Sequence, residues 1–527
     1  METSQIENTK TLGMKTHQLS FDKIPQFSKR DIAYTNAAKA LRPFYKYPVE
    51  LSAFEQVIED KKPEVRFRKE LVEALTHQCA DLCAAPEVIN NITALAHDNT
   101  FTIITAHQPS LFTGPLYYIY KIVSAINLAE QLNKKYPHYK FVPVFIIGAE
   151  DHDFEEINHV HLFGKKLVWE NEEKGAVGQM KTASLKNVIS ELENILGQSK
   201  NAKTILEKIK KAYTEHALYG HAAKVFTHEL FKDKGLVIAN MNDAKLKRCF
   251  IPIIKQEILE QPSQKLVQAT QEELAALGYK AQATAREINF FYLKNQLRER
   301  IVLNNGQFEV LNSNITFSRD EMEAEIDNHP ERFSPNVIMR PLYQELIFPN
   351  LAYIGGGGEL AYWTERKKQF EFFGINFPML IRRNSVLWLD KGIAKKINKL
   401  ALSIPDIFKD TESLIKTFVK NAAEEELHFD KEKEKLKSIF QEVFEKTIKV
   451  DQSLGKTVRA EEAKQLKALN QLEGRVHRAE KQKHETSLNQ IRAIKAKLFP
   501  DNGLQERKDN FLAFYLKYGE QFLNVLF

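Results

Sequence analysis

Residues 141–147 read Phe-Val-Pro-Val-Phe-Ile-Ile, a run without one polar side chain. A strand exposed on one face alternates apolar and polar residues. An unbroken run therefore predicts a strand covered on both faces, as in a parallel sheet with helices above and below it. Upstream, 101–105 (Phe-Thr-Ile-Ile-Thr) is a shorter β-branched run of strand type. Between the two, Pro115 opens a helical pattern reaching about Lys134, because proline suits a first helical turn. Strand, helix and strand make a βαβ unit with a right-handed crossover. A second unit follows: 351–354 reads as a strand, four glycines lead into a helix over about 359–373, and 377–381 is the next strand. The expected class is α/β with a parallel-sheet core.

Around this core the pattern is mixed. The first hundred residues read mainly as helix, for example 63–85. Residues 160–330 read as insertions and crossovers, with a buried strand at 236–239 and hairpins turning at Gly164 and at Asn305-Gly306, a dipeptide suited to a tight turn. No proline occurs between Pro405 and Pro500, and there the composition shifts to Lys, Glu, Gln and Ala. Leu436, Phe440, Val443 and Leu472, Val476, Ala479 show coiled-coil spacing, and Leu488, Ile491, Ile494, Leu498 a looser version of it. The turn at 451–455 separates two antiparallel helices, the second over about 459–498. The expected domains are a core over 1–390 with its insertions, a helical coiled coil over 391–500, and an aromatic-rich 501–527 that returns to the core.

A net charge of +6 on 60.8 kDa does not repel an anionic metabolite, yet falls far short of the basic stripe of a nucleic-acid binder. The N-terminus is polar, and the longest apolar stretch, 141–149, is far below the ~20 residues of a membrane-spanning helix. A soluble cytoplasmic protein is expected, with neither nucleic acid nor membrane as partner. Cys79 and Cys83 lie four apart on one face of a presumed helix, but no second Cys or His pair at zinc spacing follows. With Cys249 they read as small core residues of a reducing compartment.

Three segments begin where a buried strand ends, the place where ligands gather in open α/β sheets. In the first, 105–117, backbone N–H groups and a helix N-terminus favour an anion, with His107, Gln108, Thr113, Gly114, Tyr117 and then Lys121 as donors or close backbone; the plainer reading makes Thr113 an N-cap. The second, 148–159, packs five carboxylates and two imidazoles into ten residues. Such crowding is costly unless ligand, metal or solvent relieves it. Asp151, His152 and Asp153 are the catalytic candidates: they suit binding an ammonium group or accepting the proton of an attacking amine. Asn158 and His159 are candidate substrate contacts. A metal on Asp151, His152, Asp153, His159 and His161 is the rival, without a recognised ligand spacing. The third segment runs from Arg340 through Gln344 and Glu345 to Gly355, Gly356, Gly358, Glu359 and Trp363. Its glycine run permits close approach of backbone to ligand but matches no nucleotide fingerprint. Arg340 and Arg382 are candidate carboxylate or phosphate clamps.

Together these segments resemble the bacillithiol biosynthesis cysteine-adding enzymes, the cysteine ligases. The residues carrying the resemblance are Gln108 with Thr113 to Tyr117, Glu150 to Phe154, Ile157 to His159, Arg340-Pro341, Gln344-Glu345, and Gly355-Gly356 with Gly358 to Trp363. The resemblance implies a Rossmann-like core interrupted by connecting-peptide insertions and a coiled coil that forms a homodimer. It also implies addition of cysteine to the amine of glucosamine-malate, the last step to bacillithiol. Members of that family often carry glutamine where this chain has His107, so no catalytic role for His107 carries over.

Amide formation needs an activated acyl group, because carboxylate and ammonium are the stable forms in water. ATP or another acyl-activating nucleotide is the candidate cosubstrate, and the resemblance leaves the activation route open. Two other readings remain: a nucleotidyltransferase-like or adenylate-forming-like enzyme joining another amino acid to a small amine, and a non-catalytic coiled-coil scaffold.

Overall fold

In the computed structural model, which describes residues 7–9, 14–80, 82, 85–422 and 428–527, the two apolar runs are adjacent parallel strands. They are β1 (Thr100–His107) and β2 (Lys140–Ile147), paired from Thr100↔Lys140 to His107↔Ile147. β3 (Val237–Asn240) continues the sheet beyond β2. β4 (Asn350–Gly355) and β5 (Met379–Arg382) extend it on the far side of β1. The order β5-β4-β1-β2-β3 is all parallel. The chain thus winds outward one way through β3, then starts again on the other side. The reversal between β1 and β4 opens a crevice at their carboxyl ends, where such sheets bind ligands.

Both faces of the sheet are covered. Helix α1 (Tyr117–Lys135) lays Ala125, Ala129 and Leu132 against Phe101, Ile103 and Phe141, and Phe54, Val57 and Ile58 of the helix Phe54–Lys61 join the same core. Each large side chain so buried is worth roughly 1.5–3 kcal/mol, in keeping with the all-apolar stretch of β2 that follows the exposed Lys140. Past β4, α2 (Gly357–Thr364) and a second helix, Lys367–Phe373, replace the single helix expected over 359–373. The break holds Glu365 and Arg366, both fully buried, with Glu365 accepting from Arg30 at 3.0 Å. The helix expected over 63–85 is Arg68–Gln78. Pro63 lies in a preceding 3-10 turn, and Pro86 starts the next helix.

Residues 160–330 contain what the turn dipeptides indicated. His159–Leu162 and Lys165–Val168 pair across Phe163 and Gly164, at φ +52° and +78°. Leu297–Asn304 and Gln307–Val310 pair across Asn305-Gly306, at φ +49° and +82°. The latter hairpin belongs to a separate antiparallel sheet of five strands. Cys79 is buried and Cys249 half-buried, while Cys83 lies outside the described residues.

The chain divides into two compact units. The first comprises residues up to 22, 27–386 and 505–527; the second comprises 23–26 and 387–504. Within the first, the C-terminal segment is part of the sheet domain: the Asn510 side chain donates to the carbonyls of Phe112 (2.9 Å) and Gly114 (2.6 Å). Within the second, α3 (Asp430–Val450) and α4 (Gly455–Lys483) form a helical hairpin. The helix expected over 459–498 breaks at His484, and α5 (Glu485–Leu498) turns Leu488, Ile491, Ile494 and Leu498 inward, fully buried. Helix Thr411–Ala422 packs on α5, with its Leu414 and Ile415 also fully buried. This quartet is core of its own unit and is not free to be a coiled-coil seam.

Candidate active site

The carboxyl ends of β1 and β2 are locked together. The Gly148 N–H donates to the carbonyl of His107 at 2.7 Å, so the two loops leave the sheet side by side. From the β1 loop the Gln108 amide nitrogen donates to Asp151 Oδ2 and to Glu156 Oε2, both at 2.8 Å. Asp151 Oδ1 accepts the N–H groups of His152 (2.7 Å) and Asp153 (3.3 Å). Asp153 caps the short helix Phe154–Ile157, accepting from Glu156 N. Its carboxylate therefore has a structural job.

Arg298, from the antiparallel sheet, completes this cluster. Its guanidinium donates to His152 Nδ1, stands 3.8 Å from Asp151 Oδ1, and stacks 4.0 Å above the Phe291 ring. Burial opposes charge on Asp151, but Arg298, the Gln108 amide and the two N–H groups outweigh it and hold its carboxyl below the usual range. Burial, then the Arg298 charge, pushes His152 down. A guanidinium only donates, so Nδ1 is the acceptor and the His152 proton sits on Nε2. Beside them, Glu150 pairs at 2.6 Å with the fully buried Lys247.

A second cluster occupies the crevice between β1 and β4. Lys121 donates to the carbonyl of Ala106 and, at 2.7 Å, to Glu359 Oε1. Glu359 also accepts from the Tyr353 hydroxyl (2.7 Å) and Gly356 N (2.8 Å). Burial works against its charge, but Lys121 and these donors hold its carboxyl at about 2. His107 Nδ1 faces its neighbour's carbonyl at 3.0 Å and so carries the proton, leaving Nε2 to accept from the Tyr117 hydroxyl at 3.2 Å. Burial, then the Lys121 charge, lowers His107 to about 4, so its ring is neutral. Arg383, paired with buried Glu506 at 2.8 Å, and Arg507 both lie near the Tyr117 ring, at 5.5 and 5.8 Å.

Several sequence candidates do other work. Arg382 gives its donors to Asp31 at 2.9–3.1 Å between the rings of Phe21 and Phe27. Gln344 and Glu345 are fully buried and bonded to each other (2.7 Å), with Asn350 also donating to Glu345. Trp363 is fully buried and stacks on Tyr353 at 4.4 Å. Arg340 reaches Gln344 (3.0 Å) and the Tyr362 hydroxyl (3.3 Å). Asn158 and His159 bond to each other at 3.1 Å where the hairpin after the acidic loop begins. Thr113 is not an N-cap: it sits at φ +71° and α1 begins at Tyr117 after Leu116. Gly114, at φ +59°, has no room for a Cβ, which would lie 2.6 Å from that of Ser110. The N–H groups of Thr113, Gly114 and Leu116 are not open to an anion, because they donate to the carbonyls of Ser110 (3.0 Å), Leu111 (2.8 Å) and Asp509 (2.8 Å). None of Gly355, Gly356, Gly357 and Gly358 has positive φ. A Cβ on Gly357 would fall 2.2 Å from the Asp31 carboxylate, so tight packing, not a ligand cradle, explains that glycine.

Residues 14–384 match the family model described as bacillithiol biosynthesis BshC, N-terminal Rossmann-like domain, and residues 386–527 the model of its C-terminal coiled-coil domain. The chain belongs to the BshC family. Relatives named "Putative cysteine ligase BshC" include those of Flavobacterium johnsoniae, 42% identical over 97% of each chain, and Christiangramia forsetii, 40% identical over 97% of this chain and 96% of its own. That of Bacillus cereus is 29% identical over 93% of this chain and 94% of its own. The boundary between the two BshC models coincides with the step between compact units near residue 386. The coiled-coil model, however, runs on through 505–527, which folds with the Rossmann-like unit. Among the described residues no helix is long and apolar enough to cross a membrane.

Proposed function

We propose that this protein is a cytoplasmic cysteine ligase that joins the carboxyl group of cysteine to the amine of glucosamine-malate, forming the amide of bacillithiol, and that it works as a homodimer. Family membership supplies the pathway. The observation that carries the chemistry is the Gln108–Asp151–His152–Arg298 cluster at the carboxyl ends of β1 and β2. A carboxylate held firmly anionic attracts an amine arriving as ammonium, and orients its nitrogen once a proton has left. The same low basicity makes Asp151 an anchor and a poor proton acceptor. His152 presents N–H at Nε2, suited to donate to a substrate oxygen, a role different from the general base its neutral ring first suggests. Bond formation joins the amine nitrogen to the acyl carbon of cysteine and expels the group that activated it; the ammonium gives its first proton to solvent water and its second to the departing group or to water. ATP or another acyl-activating nucleotide is the candidate source of that group.

Thiol profiling by mass spectrometry in cells with and without the gene tests the reading. Deletion should abolish bacillithiol and leave glucosamine-malate accumulating; unchanged bacillithiol in the deletion strain overturns it.

A further inference from the structure

Two histidines and a glutamate meet far along the chain from either cluster above, within the helical hairpin. Glu473 and His477 are one turn apart on α4 and share a face. The start of α3 lies on that face: Phe429 N donates to Glu473 Oε1 at 3.2 Å, and Lys433 Nζ to Oε2 at 2.6 Å. His428, just ahead of α3, brings its Nδ1 to 3.3 Å from Glu473 Oε1, and its ring centroid to 5.2 Å from that of His477. One ligating atom from each of the three residues falls within 4.8 Å of the others.

We propose that His428, Glu473 and His477 bind a divalent transition-metal ion of the zinc class, which ties the start of α3 to α4. Imidazole nitrogen and carboxylate oxygen bind zinc at about 2.0–2.2 Å, so two ligands on neighbouring corners of a tetrahedron lie about 3.4 Å apart. The separation of His428 Nδ1 from Glu473 Oε1 already has that length. His477 needs only a side-chain adjustment within the 4.8 Å set. Two imidazoles in a set of three disfavour magnesium and calcium, which take oxygen ligands. Water fills the fourth position, because Glu473 and His477 remain partly exposed. Lys433 takes Glu473 Oε2 and leaves Oε1 on the histidine side. Its positive charge opposes the cation, so the site binds more weakly than the ligands alone would allow.

Titrating the full chain with Co2+, then displacing it with Zn2+, tests this, with circular dichroism confirming the helical fold of each variant. The expected result is one equivalent per chain with the visible absorption of tetrahedral cobalt. Affinity should fall by about tenfold or more in His428→Ala, His477→Ala and Glu473→Gln, as loss of one of three protein ligands requires. Lys433→Ala, which removes a competing cation and no ligand, should bind more tightly. Absence of uptake, or equal uptake by the parent and the three ligand variants, overturns the proposal, as does weaker binding by Lys433→Ala.

Discussion

Arg298 donates a guanidinium N–H to Nδ1 of His152, and that one bond fixes where the imidazole proton sits. The charge of Arg298 is also a cause, after burial, of the lowered affinity of His152 for a second proton. Replacing Arg298 with Met should raise the His152 titration midpoint toward the ordinary histidine value and release the tautomer. Nitrogen NMR of labelled histidine reads both, with His152→Gln assigning the signal. A midpoint that does not move, or moves down, would show that the guanidinium does not set the state of the ring.

The proposed function makes Asp151 the carboxylate on which amine binding depends. Asp151→Asn preserves the shape and keeps an oxygen for Gln108, but removes the charge that attracts an ammonium group. Bacillithiol formation by the variant should fall on the order of 100-fold, the scale of losing one positioned ionisable group. Circular dichroism and thermal unfolding should be nearly unchanged, because the loop is partly exposed. Near-normal turnover would mark this loop as structural and move attention to Lys121, Glu359 and Arg383.

Much of the sheet was legible because its signal is local. An apolar run as continuous as 141–147 fits a strand buried on both faces, and a glycine or Asn-Gly between two such runs marks a turn. The acidic loop was visible for the same reason: its charges are adjacent in sequence. Arg298 was not, since nothing in Leu297-Arg298-Glu299-Arg300 says which arginine of a charged strand faces inward, or that it faces a loop 146 positions away. Arg382 and Arg383 make the point most sharply. Arg382 read as a clamp and Arg383 was not singled out, but successive strand residues point to opposite faces. Arg382 turns to Asp31, and Arg383 turns to Glu506 and the Tyr117 ring. Asn510, which holds the turn at Gly114 from the far end of the chain, left no local trace.

His107 makes stability depend on pH in a defined window. Its folded-state value of about 4 lies below the usual 6.5, with burial the main cause. Between those values the unfolded chain takes up a proton that the folded chain refuses, so this contribution is fully present above about pH 6.5 and is lost as pH falls toward 4. The most it can amount to is about 3 kcal/mol, from 1.36 kcal/mol per pH unit. His107→Gln, which can still bond Tyr117, should flatten the dependence of unfolding free energy on pH across that window while leaving neighbouring windows unchanged. Urea unfolding at several pH values measures it, and parallel curves for parent and variant would refute it.

The helical hairpin carries the last prediction. Ile439, Val443 and Leu472 are 57%, 42% and 50% exposed in the single chain, large apolar residues on α3 and α4 that remain about half uncovered. Isolated exposed apolar residues are ordinary, but Val443 and Leu472 also fall in the 4–3 spacing that a facing helix fills. Leu488, Ile491, Ile494 and Leu498 have the same kind of spacing and are already buried, so they add nothing to an interface. The seam available to a second copy is therefore confined to the hairpin. Light scattering should find the intact protein dimeric at micromolar concentration, and Val443→Glu with Leu472→Glu should make it monomeric without loss of helix, since about half of each side chain already meets solvent, where a carboxylate can reach it. A monomeric parent, or a double variant that stays dimeric, would rule this seam out.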